Sequence, residues 1–152
     1  MTTNKINPGV RNRLSASGLL RAGLVSMVAA VAANLIVRAF LFALLDLPSN
    51  FPPLLPVSII IFTLIGTGLG VLAYALVNKY SGNPNRTYIV IAAIAFIISI
   101  LPNFGLMANP ANAPFPGGSA QTYGVLIIFH FVTALVFVPV LLKLSRSNAE
   151  HK

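Results

Sequence analysis

Cysteine is absent from the 152 residues, which excludes disulfides, thiolate metal sites and thiol redox chemistry. Acid is nearly absent too. Asp46 and Glu150 are the only side-chain carboxylates, so no carboxylate cluster for acid–base catalysis is expected within one chain. Charge of either sign is scarce at 8% of residues, whereas a soluble domain carries about a quarter. From Thr87 to Leu142 there is no Asp, Glu, Lys or Arg at all. Something other than water must face much of such a surface, and lipid is the natural medium.

What is present is apolar sequence, 57% of the chain, in four continuous stretches. A membrane span takes about 20 apolar residues at 1.5 Å each, so four spans leave room for tails and loops but no soluble domain. The stretches do not alternate with period 2, which argues for helices over a barrel. The expected fold is all-α, an integral membrane four-helix bundle forming a single domain over residues 1–152. Its spans are placed at about 19–46, 55–78, 87–104 and 122–143, with a basic tail at 1–18 and a short tail at 144–152. Asp46, Pro48 and Asn50 close the first span, and the run from Asn78 to Asn85 reads as a turn. Pro102 and Asn103 close the third span, which needs a few further residues to reach across. Pro139 is expected to kink the fourth without ending it.

Lysine and arginine set the orientation. Lys5, Arg11, Arg13 and Arg21 precede the first span, Lys79 and Arg86 lie between the second and third, and Lys143, Arg146 and Lys152 follow the fourth. The other two loops hold none. The expected topology therefore has both termini in the cytoplasm of a multi-pass cell-membrane protein. This distribution also assigns the net charge of +8 to orientation and to anionic lipid at the cytoplasmic face, not to nucleic acid. Asn85-Arg86-Thr87 is a glycosylation sequon on the wrong side for use. Arg11, Arg13 and Arg21 before Ala30-Val31-Ala32 resemble a cleavable signal peptide, but the apolar run continues to Leu45. The Pro- and Gly-rich segment from Asn103 to Gln121 cannot be a long helix. Its plain reading is a flexible connector, its sharper one a lid over an outward-facing pocket.

Polar groups inside spans are the functional candidates. Asn34 and Arg38 share a face of the first span, and stepping back in fours gives Ala30, Ser26 and Ala22, a stripe of small residues suited to close helix packing. Gly66 and Gly70 form a GxxxG spacing in the second span, read as packing within the chain. His130 lies in the fourth span at about the depth of Arg38, with Thr133 one turn on. Asn34, Arg38 and His130 are thus expected to converge as a ligand pocket in the outer half. The competing expectation is that Arg38 snorkels to Asp46. No catalytic residue, metal site or cofactor is assigned.

Three stretches carry a resemblance: Arg21-Ala22-Gly23 leading to Asn34, the turn from Asn78 to Thr87 with its span to Pro102, and His130 to Pro139. In these the chain resembles a bacterial family of small four-helix membrane proteins without an assigned function. The resemblance implies the four-span fold and brings no activity. The expected role is non-enzymatic: a structural or interaction protein that packs with itself, with lipid or with a membrane-protein partner. Alternatives are a binder or conduit for a small anionic or quinone-like ligand, and a subunit of a larger transporter.

Overall fold

The computed structural model describes residues 14–115 and 117–150, the last four of these by backbone alone. Lys5, Arg11, Arg13 and Lys152, and so most of the basic tail, lie outside the described residues, as does Pro116. Among the described residues there are four α-helices: α1 (Ala16–Leu44), α2 (Pro56–Tyr80), α3 (Pro84–Ala108) and α4 (Ala120–Glu150). Each contains a segment long and apolar enough to cross a membrane. Short 3-10 turns, Pro52–Leu54 and Pro110–Asn112, sit in the first and third connections.

Local chemistry sets the helix starts. Ser15 caps α1 by accepting from the Gly18 N–H at 3.2 Å. Pro56 and Pro84 begin α2 and α3, where a missing N–H costs nothing. Ser119 and Thr122 cap α4 reciprocally: Thr122 N–H donates to Ser119 Oγ at 3.2 Å and Ser119 N–H to Thr122 Oγ1 at 3.3 Å. Unlike the sequence expectation, α3 does not close near Pro102 but runs through it to Ala108. Proline removes only its own hydrogen bond, to the Ile98 carbonyl, and a helix within a bundle tolerates that loss; Asn103 Nδ2 adds a bond to the neighbouring Ser99 carbonyl at 3.5 Å.

The helices run antiparallel in sequence, so the described N-terminus, the α2–α3 turn and the end of α4 share one pole, the basic end. The other two connections form the loop end. Helix α1 packs chiefly against α4 and then α2, and α3 packs chiefly against α4. The stripe Ala22, Ser26, Ala30 and Asn34 is buried at 0–1% exposure, its small side chains letting the neighbouring helices approach. At Gly23 an added Cβ would stand 2.9 Å from Val71 of α2, so glycine sets that approach.

Two apolar cores result. One, at the basic end, gathers Tyr74, Tyr88, Phe137 and Leu141 around Ala22 and Ala30. The other, at the loop end, gathers Phe51, Leu54, Ile59, Tyr123 and Phe129. Helices α2 and α3 are tied at the basic end, where Tyr74 and Tyr88 meet edge to face at 5.1 Å and the Tyr74 hydroxyl donates to Asn85 Oδ1 at 2.9 Å.

Candidate functional site

Asn34 sits between the two cores, about 15 Å from the loop end of α1 at 1.5 Å per residue. It is 1% exposed. Its Nδ2 donates to Thr63 Oγ1 of α2 at 2.9 Å and to Thr133 Oγ1 of α4 at 2.8 Å, so one amide joins three helices. The Thr133 hydroxyl itself donates to the Phe129 carbonyl at 2.8 Å. Its proton being used there, its oxygen accepts from the amide nitrogen, while the Thr63 oxygen accepts from the same nitrogen. The consequence is that Asn34 Oδ1 is buried without a hydrogen-bond partner. A buried orphan of this kind costs about 1–3 kcal/mol.

His130 lies on α4 about one turn nearer the loop end than Thr133, the partner of Asn34. Its Nδ1 is 2.8 Å from the Leu126 carbonyl. A carbonyl only accepts, so Nδ1 carries the proton, and in the neutral ring Nε2 presents a bare lone pair.

Asn34 and His130 both line a cleft of about 730 Å³ between α2 and α3, floored by α4. Thr63 and Thr133 line it as well. Its α2 wall includes Phe62, Ile65 and Leu69, which are exposed, and its α3 wall includes the exposed Ile91, Ala95 and Ser99. The two helices, tied at the basic end, thus leave a side opening along the middle of the bundle. The lining is almost wholly apolar and holds no Lys, Arg, Asp or Glu. Gly66 belongs to this wall. It does not pack against a neighbouring helix as the GxxxG spacing predicted: an added Cβ would meet nothing within 4 Å. At Gly70 the helices do close, since a Cβ there would lie 2.6 Å from Phe137 Cε1 and 3.2 Å from the Tyr88 hydroxyl.

Arg38 is placed elsewhere. It is not among the residues lining the cleft. Its Nε donates to the Leu54 carbonyl at 2.7 Å, and its guanidinium carbon lies 4.1 Å from the centroid of the Phe42 ring, one turn on. It forms no ion pair with Asp46, which is exposed. The sequence offered two destinations, a shared cluster with His130 or the Asp46 carboxylate. The fold-back of the chain at Pro52–Leu54 supplies a third, by bringing a backbone acceptor of a fully buried residue within reach.

The connection between α3 and α4 closes the loop end of the cleft. Phe115, one of its lining residues, meets Phe51 edge to face at 6.4 Å, and Phe51 meets Tyr123 likewise at 5.5 Å. The Tyr123 hydroxyl donates to the Phe115 carbonyl at 3.2 Å. The segment read from sequence as a flexible connector or a lid is mostly exposed, but it is anchored at Phe115, to the α1–α2 loop through Phe51 and to α4 through the Tyr123 hydroxyl.

The sequence reading did not single out Thr63 and Thr133 as partners of Asn34, nor Tyr88 and Ser99 as cleft residues. Their signal was position: Thr133 one turn from His130, and Thr63 one turn from Thr67. No curated protein and no solved structure matches the chain. A family model does match, over residues 14–147, a span that contains every residue of the cleft, and the chain accordingly belongs to the family of unknown function DUF6069.

Proposed function

We propose that this protein crosses a cell membrane four times with both termini in the cytoplasm, and that it holds one small lipophilic molecule, taken sideways from the bilayer, in the cleft between α2 and α3. The observation that carries the reading is the cleft itself. Its volume of about 730 Å³ falls within the range of small-molecule sites, its walls are apolar, and its opening is at the height where acyl chains would lie. The topology is supported by the arrangement of charge. Arg21, Lys79, Arg86, Lys143 and Arg146 stand at the basic end, and the loop end carries only Asp46.

The role is passive binding, without covalent chemistry. His130 has no acid at its own height, because Asp46 belongs to the loop end and Glu150 to the tail of α4. A carboxylate there would orient a catalytic imidazole and stabilise its charged form. A lining without a cation favours an uncharged ligand over the anionic one that Arg38 was expected to hold.

Two measurements test this. A cytoplasm-active reporter is expected to be active when inserted at Asn83 and silent at Asn112; the reverse pattern inverts the topology. Native mass spectrometry of protein extracted in mild detergent is expected to show one retained small molecule per chain. A bare oligomer, or a stoichiometric protein partner without any such molecule, refutes the binding role in favour of packing with itself or within a larger assembly.

A further inference from the structure

The cleft has a defined length. Tyr88 and Asn103 are the two buried residues of α3, and both line it. At 1.5 Å per residue the unburied stretch of α3 between them is about 22 Å long. Three helices close its basic end: a Cβ at Gly70 would lie 2.6 Å from Phe137 Cε1 and 3.2 Å from the Tyr88 hydroxyl. Asn103, Phe115 and Tyr123 stand at its loop end. Measured the same way, the α4 floor from Tyr123 to Phe137 is about 21 Å long and the α2 wall from Ile59 to Gly70 about 17 Å. Spread over about 20 Å, the volume of about 730 Å³ gives a mean section about 6 Å across. Carbon atoms touch at about 3.5–4.0 Å, so such a section takes one hydrocarbon chain and is narrow for two abreast.

The polar side chains of the lining engage the protein itself. Asn34 Nδ2 donates to Thr63 and Thr133. The Thr133 hydroxyl, the Ser99 hydroxyl and His130 Nδ1 bond to carbonyls of their own helices at 2.8, 2.7 and 2.8 Å. The cleft therefore selects by length and width more than by a head group. We propose that its occupant is a single-chain, unbranched and uncharged lipid, lying extended along the bundle between the two closures. This rests on the cleft being a lipophile site, and it goes further in stating the shape of the molecule. A C–C bond of about 1.5 Å at a tetrahedral angle advances about 1.25 Å along an extended chain, so about 14–18 carbons reach from one closure to the other. A compact polycycle leaves part of that length empty. A diacyl lipid brings a second chain, and a charged head would meet no cation in the lining.

The test offers the full-length protein, in mild detergent, an equal mixture of the methyl esters of octanoic, lauric, palmitic, stearic, behenic and lignoceric acids, with cholesterol and dipalmitoyl phosphatidylcholine. Native mass spectrometry reads what each protein molecule retains, corrected for the share of each compound in the micelles. The expected result is a maximum at palmitate and stearate, about 5-fold or more above octanoate and lignocerate. Gly66→Phe should plug the slot, because an added Cβ there meets nothing within 4 Å. It should lower retention of palmitate and stearate about 5-fold or more while helical circular dichroism is unchanged. Ala95→Phe, from the α3 wall, is the second plug should the first variant fail to fold. A profile that is flat or rises without limit overturns the length assignment and leaves the lipophile site standing. Cholesterol or the phospholipid retained ahead of every ester overturns the single-chain assignment and likewise leaves the site. Retention of none of the eight overturns both. Retention unchanged in a folded plug variant places the chain outside the slot and also overturns both.

Discussion

Replacing Asn34 with leucine should cost little, although it removes a side chain that joins three helices. Two hydrogen bonds are lost, to Thr63 and Thr133, and interhelical bonds of this kind are worth about 0.6–2 kcal/mol each. The same change removes an unpartnered buried oxygen, which costs the native protein about 1–3 kcal/mol. These terms nearly cancel, and leucine is of similar size, so the expected change is within about 1 kcal/mol of zero. Thr133→Val behaves differently. It takes away one acceptor and leaves an amide proton facing a methyl group, at a cost of about 1–3 kcal/mol with nothing relieved. The single threonine change should therefore be the more damaging one, and the double variant should recover most of the loss. Unfolding in mixed micelles, followed by helical circular dichroism, measures all three after delipidation. Asn34→Leu costing more than about 3 kcal/mol while Thr133→Val is neutral would refute both the amide orientation and the burial argument.

Three other outcomes are expected. Arg38→Met leaves the carbonyl of the buried Leu54 unpaired and should lower stability by about 1–3 kcal/mol in the same unfolding assay, with Arg38→Lys intermediate because an ammonium on its flexible stem does not reproduce the planar donor over Phe42. Gly70→Ala drives a methyl into the Phe137 ring and should cost about 1–3 kcal/mol, whereas Gly66→Ala meets empty space and should be neutral or stabilising by roughly 0.5–1 kcal/mol. Anionic lipid should co-purify in excess over its share of the source membrane, and the excess should fall as salt rises, because each Lys or Arg at the basic end contributes about 1 kcal/mol and is screened.

Much of the fold was legible because the rules that wrote it are local. Apolar run length gave the number of helices, and Ser15, Pro56 and Pro84 mark their starts. The end of α3 was not legible, since Pro102 stops a helix in water, whereas a helix within a bundle can run through a proline. The site was half legible. Helical spacing put Asn34 on the same face as the small-residue stripe, and depth put Arg38 level with His130, with Asn34 one turn deeper. Neither spacing nor depth says which carbonyl a loop will present, so the bond from Arg38 to Leu54 could not be foreseen. Nor does a GxxxG spacing say whether the facing helix stays close. Gly70 and Gly66 are one turn apart, yet α3 approaches the first and has swung away from the second.

The bond between Arg38 and Leu54 also bears on how the chain is made. The main neighbour of α1 is α4, the last of the four described helices in chain order. Until then α1 must wait in the translocon or the lipid with a guanidinium whose insertion at a span centre costs about 2.5–3.5 kcal/mol. Its acceptor is only 16 residues downstream and emerges before α2 does. Asn34 likewise finds Thr63 in α2, well before Thr133 is synthesised. The nascent hairpin of α1 and α2 thus neutralises the polar groups of its first helix with its own atoms, and insertion need not await completion of the bundle. A chain truncated after Tyr80 should integrate as a two-span hairpin in a glycosylation-mapping assay, and Arg38→Met should not improve its yield, as it would if the arginine were unpaired at that stage.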